Sequence, residues 1–167
     1  LVSGKPLVRP VWYYDVMQQG EGIVDVTTHL IDLIHWKCFP EAILDYKKDI
    51  RITGAKHWAT PLSLSDFSKS TLAKEFPDYL NKDVKDSTLF VYANGEINYQ
   101  IKDVNVDISV VWNFQAPEGA GDTHSSIIKG TKASIYILQG KEQGYSPKLY
   151  IKKADQVSEA DFKLHLD

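Results

Sequence analysis

The clearest alternation of apolar and polar positions lies in residues 104–115. Apolar side chains occupy every second position there, and the positions between them are nearly all polar: Val104, Val106, Ile108, Val110, Trp112 and Phe114. A period of two is typical of a strand with one buried face. Shorter patterns predict further strands at 50–59, 89–92, 97–101, 125–129, 132–139 and 148–152. Asn94-Gly95 has the composition of a two-residue hairpin turn, and Gly130-Thr131 is predicted to turn between two strands.

Helical spacing is found in residues 23–36, before Pro40 stops the pattern. Val26, Leu30 and Leu33 recur at helical intervals and are predicted to form the buried stripe, with Ile23 and Ile34 beside it.

Two further helices are predicted. One covers Ser63–Phe76, with Ser63 or Ser65 as its cap and Pro77 closing it, and a short one opens at Ser158. The first fourteen residues, which contain Pro6 and Pro10, are expected to be extended. The sum is an α+β fold, an open and mostly antiparallel β-sheet with helices packed on one face, in a single domain over residues 1–167.

The composition narrows the classes of partner. The chain has 167 residues, 43% hydrophobic and 25% charged, with a net charge of −3. Basic residues cluster only as the pairs Lys47-Lys48 and Lys152-Lys153, so neither nucleic acid nor a membrane surface is an expected partner. A lone Cys38, expected in the core, excludes an internal disulfide. The compartment cannot be read from these features; a cytoplasmic location is favoured and export is left open.

A stripe on the first helix carries the candidate chemistry. Asp25, His29, Asp32 and Trp36 follow one another at spacings of four, three and four, which places them on one helix face. A carboxylate one turn from an imidazole can orient it and raise its basicity, so His29 would act as general acid or base with Asp25 orienting it. Two alternatives remain: a purely structural pair, and a metal site formed by the first three residues, although our leading interpretation uses no metal. The preceding Gly20 and Gly22 would let a ligand or a backbone segment approach closely.

The segment Gly20–Trp36 resembles the Gly-Gly-Gly-x-x-x-Asp-x-x-x-His-x-x-Asp helix of the glucose–fructose oxidoreductase / inositol dehydrogenase family (Gfo/Idh/MocA). Gly119–His124 and Ile128–Ala133 are similar to the sheet region of that family, where a Gly-Thr-x-Gly turn joins two strands; Ala133 replaces the last glycine. Trp12–Val16 resembles the segment that precedes the helix in one branch of the family. The resemblance covers nearly the whole chain.

The resemblance implies a dihydrodipicolinate-reductase-like C-terminal domain of the glyceraldehyde-3-phosphate-dehydrogenase-like type. In such proteins an N-terminal Rossmann domain binds NAD or NADP and carries a catalytic lysine. Asp25 and His29 match the motif, so His29 would exchange the proton of a substrate hydroxyl while hydride moves to or from the nicotinamide. Asp32 matches the second carboxylate; we interpret it as structural, with a substrate-binding role as the alternative. The implied substrate is a sugar, polyol or sugar derivative; some relatives instead use tightly held NAD for glycoside hydrolysis, which is an alternative here.

The chain has no Gly-x-Gly-x-x-Gly fingerprint. We therefore expect the Rossmann domain to be absent from it, and we expect the chain alone to be inactive and to bind no dinucleotide tightly. Its expected partners are its own Rossmann domain, a small carbohydrate-like substrate, and a second copy of itself through an uncovered sheet face.

The remaining candidates are weaker. Trp12 and Tyr14 could stack on a sugar ring, or else pack in the core. Asp122 and His124 follow glycines in a predicted loop and could contact substrate, or else be ordinary surface residues. Four residues receive no chemical role. Trp112 is predicted to pack in the core and His35 to lie on the helix surface, and no role is predicted for His57 or His165. A hypothesis from a different class is a non-catalytic β-sheet interaction module, in which Asp25 and His29 are only a structural pair.

Overall fold

The computed structural model describes residues 7–164. The chain folds into two compact units, Leu1–Phe114 and Gln115–Asp167. Both contain antiparallel strands and helices, so the predicted α+β class is confirmed. The expectation of a single domain stays a prediction, and each unit is described by itself. Leu1–Pro6 and His165 lie outside the described residues.

The first unit begins with helical turns and continues into a sheet. Its helices are a 3-10 turn at Val11–Tyr14, α1 (Val16–Gln19), α2 (Gly22–Asp25), α3 (Thr27–Cys38), α4 (Leu64–Thr71) and a 3-10 turn at Asp78–Asp83. Its strands are β1 (Ile50–Ser63), β2 (Val84–Lys85), β3 (Thr88–Ile101) and β4 (Val104–Val110). β3 pairs antiparallel with β1 along its whole length, from Ile50 opposite Ile101 to Ser63 opposite Thr88. β2 and β4 pair with β3 as well, so β3 is the central strand.

Asn94-Gly95 is not a hairpin turn, because β3 runs through it without interruption. The buried Asn94 amide donates to the Trp58 carbonyl at 3.0 Å and to Thr60 Oγ1 at 2.9 Å, and it accepts from the Trp112 backbone N–H at 2.7 Å. The register of the β1–β3 pair shifts between Trp58 and Thr60, so β3 carries an extra residue there. Tertiary contacts therefore override the local turn preference of this dipeptide.

Two apolar clusters stabilise the first unit. One is formed by Tyr14, Leu62, Phe67, Leu80, Leu89 and Val91. The other is formed by the sheet residues Tyr99, Ile101, Val106 and Ile108, against which α3 packs through Leu30, Ile31 and Ile34.

The predicted buried stripe of the first helix is therefore wrong in part. Leu30 and Ile34 pack on the sheet, whereas Val26 and Leu33 are 43% and 41% exposed. Val26 separates α2 from α3, so the predicted single helix consists of two segments.

Other boundaries also differ from the predictions. The strand predicted over 104–115 ends at Val110. α4 follows its Ser63 cap, whose Oγ accepts from the Asp66 N–H at 3.1 Å, but it ends at Thr71 and does not extend to Phe76. Residues 11–14 form a 3-10 turn in place of the predicted extended chain.

The second unit is a three-stranded antiparallel sheet with a short helix. Its elements are β5 (His124–Lys129), β6 (Ala133–Gln139), a 3-10 turn at Lys141–Gln143, β7 (Lys148–Lys153) and α5 (Glu159–Leu164), with β6 central. The predicted turn at Gly130 is present, since its N–H donates to the Ala133 carbonyl at 2.9 Å. Ser158 caps α5 by accepting from the Asp161 N–H at 3.1 Å. Within residues 7–164, no helix is both long and apolar enough to cross a membrane.

Candidate functional site

The candidate residues lie on a two-part helix. Asp25 is the last residue of α2 and His29 lies in the first turns of α3. At the junction, the hydrogen bond from the Val26 N–H to the Gly22 carbonyl is stretched to 3.5 Å. The Thr27 hydroxyl donates to the Ile23 carbonyl instead. The two candidate side chains are therefore carried by two successive helical segments, α2 and α3, and not by one continuous helix.

The stripe predicted from sequence spacing is solvent-exposed on the first unit. Asp25, His29 and Asp32 are all exposed, and Trp36 is 74% exposed. Because α3 turns its opposite side toward the sheet, through Leu30, Ile31 and Ile34, these four side chains point away from the core. In the described part of the chain, Asp25 and His29 form no hydrogen bond or ion pair with each other, so the predicted orienting contact stays a prediction.

Apolar side chains accompany the polar stripe. Val26 and Leu33 lie beside it on the outer side of the helices, and together with Trp36 they leave three large apolar groups in water. A cluster of exposed apolar side chains around ionisable ones is typical of a surface that a ligand or another domain covers.

Three consecutive residues attach α2 to the sheet. A Cβ atom on Gly22 would overlap the Ala93 carbonyl oxygen, so only glycine fits this approach. Ile23 packs on Gly95, where an added Cβ would be 2.8 Å from the Ile23 Cβ. Glu21 Oε2 contacts Nδ1 of His57 in β1 at 2.9 Å.

The sequence pattern did not indicate a role for His57. Its partner, Glu21, is 36 positions away along the chain, and His57 itself belongs to no recognisable motif. Its ring also lies against Tyr92, with the ring centres 4.8 Å apart.

The glycines before α2 do not form a phosphate cradle. Gly20 has a φ of 89° and shapes the turn into the helix, while Gly22 is occupied by its contact with the sheet backbone. The first turn of α2 is therefore packed on the sheet and is not an open glycine-rich loop of the kind that binds a phosphate. Among residues 7–164, no three His, Cys, Asp or Glu side chains are grouped so as to hold a metal ion. The metal alternative for Asp25, His29 and Asp32 thus has no support.

The two aromatic candidates, Trp12 and Tyr14, differ in solvent exposure. Trp12 is 44% exposed and can meet a ligand. Tyr14 is only 3% exposed, and its hydroxyl donates to Ser70 Oγ at 2.7 Å. Burial raises the pKa of Tyr14 above its usual value. These contacts favour the core-packing alternative for Tyr14.

His35 corrects another expectation. It was assigned to the helix surface, but its Nε2 is buried without a hydrogen-bond partner among residues 7–164. Its ring stands edge-on to Tyr99, with the ring centres 6.4 Å apart. Trp112 packs against Tyr14 and Phe114, in agreement with its predicted packing role.

Asp122 and His124 belong to the second unit. Asp122 is exposed, and its backbone carbonyl accepts a hydrogen bond from Gln139 Nε2 at 3.1 Å. His124 is half-buried and begins β5 opposite Gln139.

The chain belongs to the family described as putative oxidoreductase C terminal domain, which matches residues 1–167. This membership is consistent with the resemblance to Gfo/Idh/MocA enzymes.

A solved relative supports the same classification. The crystal structure of a putative oxidoreductase from Parabacteroides merdae ATCC 43184 is similar to this chain, with 52% sequence identity over 99% of the chain and a TM-score of 0.95. The chain spans 38% of the length of that protein. No curated protein matches the chain.

Proposed function

We propose that this chain is the substrate-binding domain of an NAD(P)-dependent oxidoreductase of the Gfo/Idh/MocA type that acts on a sugar, polyol or sugar derivative. The observation that carries the proposal is the outward helix face, where Asp25 and His29 are exposed and the opposite side of α3 is packed on the sheet. Membership of an oxidoreductase C-terminal family supports the reaction class.

The role of this chain is proton transfer. One ring nitrogen of His29 accepts the proton of a substrate hydroxyl in the oxidative direction and returns it in the reductive direction. Asp25, one turn earlier, orients the imidazole and stabilises its protonated form once the site is closed. NAD or NADP, held by the Rossmann domain, would supply the hydride acceptor or donor, and the residues of this chain would act on the proton and on substrate placement.

The apolar part of the helix face has a matching role. Val26, Leu33 and Trp36 are proposed to contact the Rossmann domain, which would remove them from water. Closing the face also excludes water from the Asp25–His29 pair, which strengthens the electrostatic interaction between the two side chains.

The proposal is tested by measuring turnover in the full-length protein, in which this chain is proposed to follow a Rossmann domain. His29→Ala and Asp25→Asn are expected to lower kcat by roughly 10²- to 10⁴-fold, which is the usual contribution of a general acid–base group. Thr28→Ala is the matched control, since Thr28 is an exposed neighbour on the same helix. Unchanged turnover in folded His29→Ala would instead support the interaction-module hypothesis.

We also propose self-association through the second unit. Ile127, Tyr136 and Tyr150 are cross-strand neighbours and so share one sheet face, and Ile127 and Tyr150 are 52% and 43% exposed. Ile127→Lys should shift the protein toward the monomer in sedimentation velocity. Lys141→Glu, an exposed charge change in the 3-10 turn outside the three strands, is the control; equal behaviour of the two variants would contradict this interface.

A further inference from the structure

We propose that His57 is a positioning residue for Asp25, acting through Glu21. This inference rests on the proposed function of Asp25. His57 lies in β1 directly opposite Gly95, on the strand pair that receives α2. No sequence motif marks it, and the geometry alone assigns the role.

The starting point is that α2 has little support of its own. It has four residues, and its connection to α3 is weakened by the stretched bond at Val26. α3 is held separately, by the packing of Leu30, Ile31 and Ile34 on the sheet. The position of Asp25 relative to His29 therefore depends on how α2 is attached.

Glu21 contributes the polar part of that attachment at the start of the helix. Its backbone carbonyl accepts the N–H of Val24 at 2.8 Å and the N–H of Asp25 at 3.2 Å. Its carboxylate is 2.9 Å from His57 Nδ1. One residue thus connects the backbone of Asp25 to the imidazole of β1.

His57 is itself held in place. Its ring lies on Tyr92, with a distance of 4.8 Å between ring centres and an angle of 34° between planes. Gly22 and Ile23, between Glu21 and Val24, fill the contacts with Ala93 and Gly95. Loss of the imidazole would leave the contacts of Gly22 and Ile23 intact, so the fold would persist. Glu21 would be free to move, and Asp25, whose N–H it accepts, would shift with it.

A neighbouring ion pair provides a matched control. Lys56 Nζ and Glu96 Oε2 are 2.8 Å apart, with side chains 62% and 30% exposed. The His57–Glu21 pair is 2.9 Å apart, with side chains 56% and 32% exposed. The two pairs begin at adjacent residues of β1 and have similar exposure, but Lys56 and Glu96 are cross-strand partners within the sheet, and only Glu21 belongs to the start of α2.

The experiment compares His57→Ala, His57→Gln and Lys56→Ala in the full-length protein. His57→Ala should lower kcat by roughly 5- to 50-fold with little change in KM, because the displaced group acts on the chemical step. His57→Gln should retain most of the activity, since its amide can still donate to Glu21. Lys56→Ala should leave kcat unchanged, and melting temperatures should be similar in all three, because exposed ion pairs contribute little to stability.

A double-mutant cycle separates positioning from a general structural role. In an Asp25→Asn background, His57→Ala should cause less than about a two-fold further loss, since the group it positions is already disabled. An equal loss in both backgrounds, or equal losses for His57→Ala and Lys56→Ala, would overturn the assignment. Normal turnover in Asp25→Asn would overturn the proposed function and this inference with it. A large loss of turnover in Asp25→Asn together with normal turnover in His57→Ala would overturn the inference alone.

Discussion

At the scale of single residues, two buried tyrosines show how the same side chain can have opposite energetic effects. Tyr14 and Tyr99 are 3% and 4% exposed. The Tyr14 hydroxyl donates to Ser70, whereas the Tyr99 hydroxyl has no hydrogen-bond partner within residues 7–164. Burial is the main reason why the pKa of each is raised. A buried polar group stabilises a fold only when it is paired.

The pair gives a matched prediction. Tyr14→Phe should lower the free energy of unfolding by about 1 kcal/mol, because the hydrogen bond that the Tyr14 hydroxyl donates to Ser70 Oγ is lost. Tyr99→Phe should leave the free energy of unfolding unchanged or raise it, since no partner is lost. Equilibrium urea unfolding of both variants measures the difference. A loss in Tyr99→Phe as large as in Tyr14→Phe would contradict it.

Asp15 gives a prediction of pH dependence. Its carboxylate accepts from Gln18 Nε2 at 2.9 Å and from the Met17 N–H at 3.1 Å, and Lys82 Nζ is 3.6 Å away. The hydrogen bond from Gln18, followed by the Met17 N–H and the Lys82 charge, holds the pKa of Asp15 below its usual value despite opposing desolvation. The stabilisation is therefore present above the unfolded-state pKa of about 4 and is lost as the pH falls through the folded-state value.

Asp15→Asn should therefore destabilise the protein at pH 7, by about 1 kcal/mol, and the difference should shrink below about pH 4 as the wild-type carboxyl becomes protonated. Urea unfolding across this pH range is the measurement. Asp103→Asn, at an exposed site, is the control and should show no such trend. A difference that stays constant with pH would mean that the charge of Asp15 is not the cause.

At the scale of secondary-structure elements, close contact between a helix and a strand organises the candidate site. Gly22 of α2 lies directly on the Ala93 carbonyl of β3. Gly22→Ala should destabilise the protein by about 1–3 kcal/mol, because the backbone of α2 or β3 must move to make room for the added methyl group. Gly140→Ala is the control, since its Cβ would meet only the end of the Gln143 side chain at 3.4 Å. Equal urea midpoints for the two variants would show that α2 does not lie this close to β3.

The elements also show what a sequence can and cannot predict. β5 to β7 were predicted within a residue at each end, because alternation and a turn between neighbouring strands are local properties. Asn94-Gly95 was misassigned because its contacts are with Trp58, Thr60 and Ile23, which are distant in sequence. A hairpin dipeptide gives the same local signal whether or not such partners exist.

The candidate site follows the same division. The helical spacing of Asp25, His29 and Asp32 was sufficient to place them on one face, and the structure leaves all three exposed. The break at Val26 was not predictable from periodicity, because apolar residues continue through it. His57 reaches the site through a fold contact with Glu21, which one sequence cannot reveal.

At the scale of the whole molecule, the proposal treats this chain as one side of an active site. Isolated residues 1–167 should therefore show no NAD(P)H oxidation and no tight binding of NADH. Both follow from the proposal, which assigns the cofactor to the Rossmann domain, and the start of α2 offers no open glycine loop because Gly22 is packed against the Ala93 carbonyl. NADH fluorescence titration and a turnover assay on the isolated chain test this, and measurable oxidation would contradict it.

Trp36 offers a direct test of whether another domain covers the helix face. It is 74% exposed, so acrylamide should quench its fluorescence efficiently in the isolated chain. The contribution of Trp36 is obtained by subtracting the Trp36→Phe variant. In the full-length protein this contribution should be protected, because the proposed Rossmann contact covers Val26, Leu33 and Trp36 together. The half-buried Trp112, which packs against Tyr14, is the control and should be quenched equally in both forms. Equal quenching of Trp36 in both forms would place the Rossmann domain elsewhere and leave the Asp25–His29 face open to water.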